Sequence, residues 1–278
     1  MKRLLAAPFI LVMGLRCVLG AGMILVGGVR MSRGFATSHF VMYASGAMIA
    51  FYSWRMILRL WSLGRVPDPR KPHVLLLRSF RLDNQSLAVP KIVAPDFATL
   101  EEDLTKALPR GGQLVKLRHR YRLPDVGAVE IEADDQTWQP TVLKWLETTR
   151  AVVVFLDSTE SLRWEMEQIG REPSAHPTLL VMPPLKDEMG KIDAAKMLAR
   201  WAELAQRFAD VPLFANLPVE VEKVAALERV PVAVLTGTAA PMEIVSTEKT
   251  RVDGGYREAV ALAARTLSTR ALGDLGKG

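Results

Sequence analysis

The sequence predicts a transmembrane helical hairpin followed by a doubly wound, mainly parallel α/β sheet. Two long apolar runs open the chain, a proline-rich stretch follows them, and short apolar runs then alternate with longer amphipathic stretches. These three observations are typical of a membrane anchor joined to an α/β domain. We expect the anchor at residues 1–63, the linker at 64–72, the α/β domain at 73–269 and a flexible tail at 270–278.

Each of the two apolar runs is long enough to cross a bilayer. Pro8–Val29 carries one charge, Arg16, and Phe35–Trp54 carries none. A hydrocarbon core of about 30 Å needs about 20 apolar helical residues, whereas the apolar part of a cleaved signal peptide is shorter. Because five residues separate the runs, they predict a hairpin of two helices. We expect the Arg16 side chain to reach toward the lipid headgroups.

Basic residues flanking the runs predict the orientation of this hairpin. Two of them, Arg30 and Arg33, lie in the connecting loop, and seven lie outside the two runs. The positive-inside rule therefore predicts an integral membrane protein with both termini and the α/β domain in the cytoplasm. The seven outer residues are Lys2, Arg3, Arg55, Arg59, Arg65, Arg70 and Lys71.

Positive charge is concentrated in the anchor and the linker. Residues 1–72 hold ten Lys or Arg and one acid, a charge of +9, whereas residues 73–278 hold 26 and 29, a charge of −3. The basic anchor attracts anionic headgroups of a lipid bilayer, and the acidic remainder argues against a nucleic-acid partner. The single cysteine, Cys17, lies within a predicted span. This excludes a disulfide within the chain and fits a cytoplasmic domain.

The α/β domain begins with a buried strand at His73–Arg78. The continuous apolar run at Ala151–Asp157 predicts a strand at the centre of a parallel sheet. The alternation of strands and helices predicts right-handed crossovers between parallel strands. Leu185–Gly278 either completes the sheet or covers a site, and both interpretations stay open. The other predicted elements are helices at Asp96–Leu108, Gln136–Thr149, Glu160–Ile169, Ala194–Phe208 and Gly255–Leu267, and strands at Gln113–Leu117, Ala128–Ala133, Thr178–Met182 and Pro231–Leu235.

Polar residues follow three of the predicted strands, at the carboxyl edge where such sheets bind ligands. The helix after the fourth strand adds an aromatic residue and two acids. Because the chain has no glycine-rich phosphate loop and no histidines at metal-ligand spacing, we expect no metal and no bound cofactor. The candidate residues are Ser79, Phe80, Arg81 and Asp83 after the first strand, Asp134 after the third, Asp157 and Ser158 after the fourth, and Trp164, Glu165 and Glu167 on the helix.

Two segments resemble Toll/interleukin receptor (TIR) domains. His73–Asp83 (HVLLLRSFRLD) is similar to the box that ends the first TIR strand, and Ala151–Ile169 (AVVVFLDSTESLRWEMEQI) is similar to a TIR strand, loop and helix. The spacing from Asp157 to Glu165 also resembles nucleoside deoxyribosyltransferase-like proteins. The resemblance covers about 72–184. It implies a flavodoxin-like sheet with a TIR-like core at about 73–184, in a protein anchored to a bacterial inner membrane.

In both groups the resemblance implies that a helix glutamate acts on a glycosidic bond. A carboxylate beside the ribose stabilises the oxocarbenium ion that forms when the bond to the base breaks. The resemblance therefore implies a nucleotide ligand, with NAD as substrate rather than cofactor. The position that matches the TIR spacing is Gln168, so Glu165 and Glu167 both stay candidates. The implied binding residues are Phe80 or Trp164 for stacking on a base and Asp83 or Asp134 for the ribose hydroxyls.

The same candidates also have structural interpretations, which leave two functions open. Glu165 and Glu167 also fit the solvated face of a helix, and Arg78 fits a solvent-facing position. Asp157 and Ser158 fit a helix cap, and Asp134 fits a turn. Trp164 fits the hydrophobic core. We favour a membrane-anchored cytoplasmic signalling or interaction module that self-associates or binds a partner, because the TIR spacing is broken. The alternative is an NAD or nucleoside N-glycosidase that uses the helix glutamate.

Overall fold

A computed structural model describes residues 53, 66–78, 100–107, 112–119, 128–171, 176–211, 214–237 and 241–272. Both predicted spans, apart from Ser53, and the segment from Ser79 to Asp83 lie outside these residues. Within the described ranges, no helix combines the length and the apolar character that a bilayer span requires. The chain divides into two compact units, residues 1–66 with 122–126 and residues 67–121 with 127–278. The second unit is described below.

One mixed sheet of seven strands lies at the centre of the described part of this unit. Its order is β3-β2-β1-β4-β5-β6-β7. Strands β1 to β5 pair in parallel, whereas β6 is antiparallel to both β5 and β7. The α/β class predicted from the sequence is confirmed. The strands are β1 at His73–Arg78, β2 at Gln113–His119, β3 at Val129–Ala133, β4 at Ala151–Phe155, β5 at Thr178–Val181, β6 at Arg229–Thr236 and β7 at Glu243–Glu248.

Helices cover both faces of the sheet. His73 contacts Trp145 edge to face, whereas Arg78 pairs with Glu101. The two β1 residues are an odd number of positions apart, so they point to opposite faces and place the two partner helices there. In chain order the helices are α1 at Leu100–Ala107, α2 at Trp138–Leu146, α3 at Glu160–Arg171, α4 at Ala194–Arg207, α5 at Leu217–Ala226 and α6 at Val252–Leu272, with a 3₁₀ turn at Lys249–Arg251.

Strand β4 forms the buried centre of the sheet, as its apolar run predicts. Each of its residues is at most 1% exposed, and burying one such valine contributes about 1.5–3 kcal/mol. Thr149 fixes the turn that leads into β4. Its hydroxyl oxygen accepts a hydrogen bond from the Leu75 N–H at 3.1 Å and lies 3.0 Å from the carbonyl oxygens of His73 and Ala151. This side chain therefore ties β4 to β1 where both strands begin.

The strand order departs from the flavodoxin-like order that the TIR resemblance implies. A flavodoxin-like sheet has the order 2-1-3-4-5 with parallel strands. Here β3 adds to the outer side of β2, so two strands lie on that side of β1. On the other side, β6 runs back against β5 and β7 pairs with β6. The mainly parallel sheet thus gains one edge strand beside β2 and, on the other side, the reversed strand β6 followed by β7, which runs in the direction of β5.

Residues after Leu185 complete the sheet and one helical layer. They supply α4, α5, β6, β7 and α6, and α6 contacts α1 as well as β4 to β7. The sequence did not predict α5 or β7. It also placed the last helix too short, since α6 runs from Val252 to Leu272. Residues 270–272 of the predicted tail are therefore helical.

Candidate functional site

The candidate residues that the structure describes lie at or near the carboxyl edge of the parallel strands. Asp134 follows β3, whereas Asp157 and Ser158 follow β4. Strands β2 and β1 separate β3 from β4, so at about 4.8 Å per strand the two ends are about 14 Å apart. They do not form one cluster. Ser79, Phe80, Arg81 and Asp83, which follow β1 in the sequence, are outside the described residues.

Asp134 forms a turn that begins helix α2. Its Oδ1 accepts hydrogen bonds from the N–H groups of Gln136 and Thr137 at 3.1 and 3.0 Å and from the Thr137 hydroxyl at 2.8 Å. Short polar side chains commonly form such bonds ahead of a helix. The structural interpretation of Asp134 therefore accounts for its carboxylate, and no bond to a ribose is needed to explain it.

Asp157 and Ser158 are held by arginines of helix α4. The Asp157 carboxylate accepts a hydrogen bond from the Ser158 N–H at 2.7 Å and pairs with Arg200 at 3.3 Å. Arg207 donates to the Ser158 carbonyl at 2.9 Å and pairs with Glu160. The cap of α3 is instead Thr159, whose hydroxyl oxygen lies 3.4 Å from the Leu162 nitrogen. The predicted cap at Asp157 and Ser158 is thus displaced by one residue.

Trp164 and Glu167 both have structural partners. Trp164 packs edge to face on Trp138, with ring centroids 4.9 Å apart, and this contact joins α3 to α2. Glu167 pairs with Arg163 one helical turn away at 3.2 Å, and its side chain is 35% exposed. Arg163 also contacts Asp210 at 3.2 Å. Both residues therefore follow their structural interpretations, a core aromatic and a solvated helix acid.

Glu165 differs from all of these residues. It is 7% exposed and lies on the buried face of α3, between Leu162 and Ile169. No hydrogen bond or ion pair joins it to any other residue in the described part of the chain. Burial therefore raises the pKa of its carboxyl to about 8, because desolvation disfavours the charged form. Helix α3 contacts β1, and Glu165 lies about 8 Å along this helix from its start.

A buried network of charged residues lies on the face of the sheet that α1 covers, opposite to the face that α2 covers. The sequence did not predict this network. Lys116 and Glu101 are 1% and 2% exposed and are 2.9 Å apart. Lys116 also lies 3.2 Å from Glu130, and Arg118 lies 2.8 Å from the same side chain. The pairing of β2 with β3 sets these residues side by side. Three bases and three acids make up this α1–β2–β3 network, namely Arg78, Lys116, Arg118, Glu101, Glu130 and Glu132.

The network corrects the expectation that Arg78 faces solvent. Its side chain is 8% exposed and pairs with Glu101 of α1. The sequence contained a signal for this network. Lys116 and Arg118 alternate with apolar residues in one strand, and Glu130 and Glu132 do so in the next. Opposite charges at the same spacing in two strands predict cross-strand pairs on one face.

A second concave surface lies at the other end of the sheet, between β7 and α6. It has a volume of about 1030 Å³, and its wall carries Arg229, Arg251, Arg265, Glu248 and Glu258 together with the half-exposed Leu262. This groove is open and mixed in charge. Among the described residues, no group of three or more His, Cys, Asp or Glu side chains could hold a metal ion.

No family model, no curated protein and no solved structure was found to match the chain.

Proposed function

We propose that the protein is a membrane-anchored cytoplasmic signalling or interaction module with a TIR-like α/β domain. The proposal is supported by the contacts that the candidate side chains make at the carboxyl edge. Its candidate side chains Asp134, Asp157, Trp164 and Glu167 are engaged in turns, ion pairs or packing. Side chains used in this way support the fold and are not presented to a substrate. The edge then serves as a rigid surface and not as a catalytic cleft.

The predicted anchor suits such a module. Two helices in a bacterial inner membrane confine the domain to a thin layer beside the bilayer. Confinement raises the effective concentration of each domain for the others, so that weak contacts suffice for association. The partners of the module are the lipid bilayer and, through the α/β domain or the membrane helices, a second copy of the chain.

Energy transfer between labelled copies in vesicles tests this proposal. Full-length chains carrying donor or acceptor dyes are mixed in vesicles, and the transfer efficiency is followed while lipid is added. An associating module keeps its transfer on dilution, and a hairpin of residues 1–72 shows whether the membrane helices alone suffice. Transfer that falls to the level of random encounters for the full chain would refute the module.

A second candidate function, an NAD or nucleoside N-glycosidase, is favoured by Glu165. A buried carboxyl without a partner is costly to fold around, and such perturbed groups cluster at functional sites. With a pKa of about 8, it holds a proton at neutral pH and can donate that proton to a departing base. A cationic nicotinamide ring in the site would instead favour the carboxylate, which stabilises an oxocarbenium ion.

Turnover assays separate this candidate from the module. The full-length protein is incubated with NAD, and separately with purine nucleosides, in vesicles that permit association. A glycosidase releases the base, and Glu165→Gln lowers the rate at least about 100-fold, since general acid catalysis contributes that much. Glu167→Gln is the matched control, because this glutamate is exposed and paired. Absence of turnover by the associated wild-type chain would exclude the glycosidase.

A further inference from the structure

The edge of the sheet opposite to the candidate site is basic. Strands β1, β2, β4 and β5 run in parallel and therefore begin on one edge, termed here the amino edge. Three exposed basic residues lie directly before β1 and β4, and three more lie in the last turns of the helices that lead to β2, β4 and β5. The first three are Arg70, Lys71 and Arg150, and the others are Lys106, Lys144 and Arg171.

These six cations are not neutralised within the described part of the chain. None of the six side chains forms an ion pair there, and Arg171 only donates to Gln168 at 3.4 Å. The described acids within four residues of them include Asp68, which is bound within its own turn, and Glu147. Two others pair elsewhere, Asp103 with Arg257 and Glu167 with Arg163. Residues 67–278, which include all six, hold 28 Lys or Arg and 30 acids, a charge of −2, so the amino edge opposes the sign of the domain that contains it.

Residues 67–72 hold two of the cations firmly on this edge. The Asp68 N–H donates to the Gln113 side chain at 2.9 Å, and the Gln113 N–H donates to the Pro72 carbonyl at 3.0 Å. The His73 ring nitrogen Nε2 lies 3.0 Å from the Asp68 carbonyl. This turn, part of the predicted linker, therefore joins the starts of β1 and β2. Arg70 and Lys71 are therefore held on the amino edge, just before β1.

Helix dipoles explain the positions of only three of the six basic residues on the amino edge. A basic residue in the last turn of a helix is favoured by the negative end of the helix dipole, which accounts for Lys106, Lys144 and Arg171. Arg70, Lys71 and Arg150 lie outside helices, so their placement needs another reason. Together the six residues place exposed positive charge at two strand starts and three helix ends of the amino edge.

We propose that the amino edge docks on the anionic phospholipid headgroups of a bilayer. The chain enters the domain on this same edge, thirteen residues after the end of the second apolar run at Trp54. This inference rests on the membrane anchor of the proposed function, which makes a bilayer the anionic surface most available to this edge. Each basic residue near such a surface strengthens association about fivefold. Docking turns the opposite, carboxyl edge away from the lipid, where a partner or a substrate reaches it.

Hydrogen exchange of the full-length chain tests this proposal. The protein is placed in vesicles of neutral phosphatidylcholine or of phosphatidylcholine mixed with anionic phosphatidylglycerol. Peptides covering residues 67–72 and 144–150 should exchange more slowly in the anionic vesicles. Raising the salt from about 0.1 M to about 1 M shortens the Debye length from about 10 to about 3 Å and should remove the protection. Equal exchange in the two kinds of vesicle would overturn the proposal.

A pair of charge-reversal variants gives the matched comparison. K144E with R150E should lose the protection, because four units of charge change on the amino edge. K191E with R265E makes the same change at exposed positions elsewhere and should keep it. Loss in both variants would mean that net charge, and not the amino edge, controls docking. Protection of the same peptides by a short DNA duplex, with none from anionic vesicles, would assign the edge to nucleic acid and refute lipid docking.

Discussion

Glu165 is the residue whose chemistry differs most from its surroundings. Its neighbours on the buried face of α3 are apolar, and burial raises the pKa of its carboxyl to about 8. Such a group destabilises the folded state once the unfolded chain can ionise. Either a function retains Glu165 at this position, or the surrounding packing offsets its cost in stability. Measurements of the free energy of unfolding detect that cost directly.

The first prediction concerns the pH dependence of this cost. Below about pH 4.5 the carboxyl is protonated in both the folded and the unfolded chain. It therefore does not make the free energy of unfolding depend on pH in this range. Between about pH 4.5 and 8 the unfolded chain ionises while the folded chain keeps its proton, and the free energy of unfolding falls by about 1.4 kcal/mol per pH unit. E165Q should therefore gain several kcal/mol relative to wild type from about pH 5 to about pH 8 in urea unfolding of the full chain in micelles.

The exposed neighbour supplies the control for that measurement. E167Q removes a carboxyl that pairs with Arg163 at the surface, and it should leave the pH dependence unchanged. Identical pH dependence for E165Q and wild type would contradict the buried, protonated state of Glu165.

The sequence predicted which residues lie at the carboxyl edge better than it predicted their contacts. The strand ends at Asp134 and Asp157 follow from apolar runs and their boundaries. The partners of Asp157 and Ser158 do not, because Arg200 and Arg207 belong to α4, some 40 residues further along the chain. Burial of Glu165 was equally hidden, since a glutamate on an amphipathic helix is normally exposed.

At the scale of elements, periodicity predicted the strands from β1 to β6 and every helix except α5. It failed for β7, whose sequence Glu243–Glu248 (EIVSTE) is short and has only two apolar residues, as expected for a strand at the edge of a sheet. The strand order was also beyond the sequence. The side on which β3 joins, and the reversal of β6, depend on contacts between distant segments and not on any local pattern.

The contact between α3 and the segment after α4 gives a prediction at this scale. A Cβ at Gly170 would lie 2.4 Å from Val211 Cγ1, so Gly170→Ala forces the two segments apart. We expect a loss of about 1–3 kcal/mol in the free energy of unfolding, as for other overpacked contacts. Denaturant unfolding measures it, and Val211→Ala in the same chain should restore part of the loss.

Gly254→Ala is the control for this substitution. No atom lies within 4 Å of its Cβ position, and the residue is helical. Alanine should therefore stabilise here by about 0.5–1 kcal/mol. A Gly170→Ala chain that is as stable as wild type would contradict the close approach.

The α1–β2–β3 network gives a second prediction for elements. Glu101 is the acid that joins α1 to Lys116 and Arg78. Glu101→Gln leaves these buried cations short of a counter-charge, and removing one partner of a buried pair typically costs about 3–5 kcal/mol. Denaturant unfolding should show this loss, while Glu147→Gln, an exposed acid with no ion pair among the described residues, should change stability by less than about 0.5 kcal/mol.

At the scale of the whole molecule, the C-terminal third is part of one fold. Helix α6 contacts α1 and the strands from β4 to β7, and Tyr256 is fully buried with its hydroxyl donating to the Met182 carbonyl. Trp201 of α4 is also fully buried and donates to the Pro231 carbonyl at 2.7 Å. Residues 73–184 therefore pack against residues beyond them.

Truncation after Pro184 tests the importance of this packing. The shortened chain, residues 1–184, loses the β6 partner of β5 and the α6 layer over β4 and β5. We expect it to lose cooperative unfolding and to be digested rapidly by protease between residues 73 and 184. The full chain resists under the same conditions. A protease-resistant, cooperatively folded fragment would mean that the resembling segment is an independent domain.

The end of helix α6 has a practical consequence. Arg270 near its C-terminus pairs with Glu243 at the start of β7, and β7 starts on the edge where residues 67–73 enter the domain. Entry and exit of the folded unit therefore lie on one side. Such a unit can be spliced into a host loop as a cassette, or permuted by joining its two ends with a short linker. A reporter fused after residue 278 reads out events on that side, and the opposite side stays free for binding.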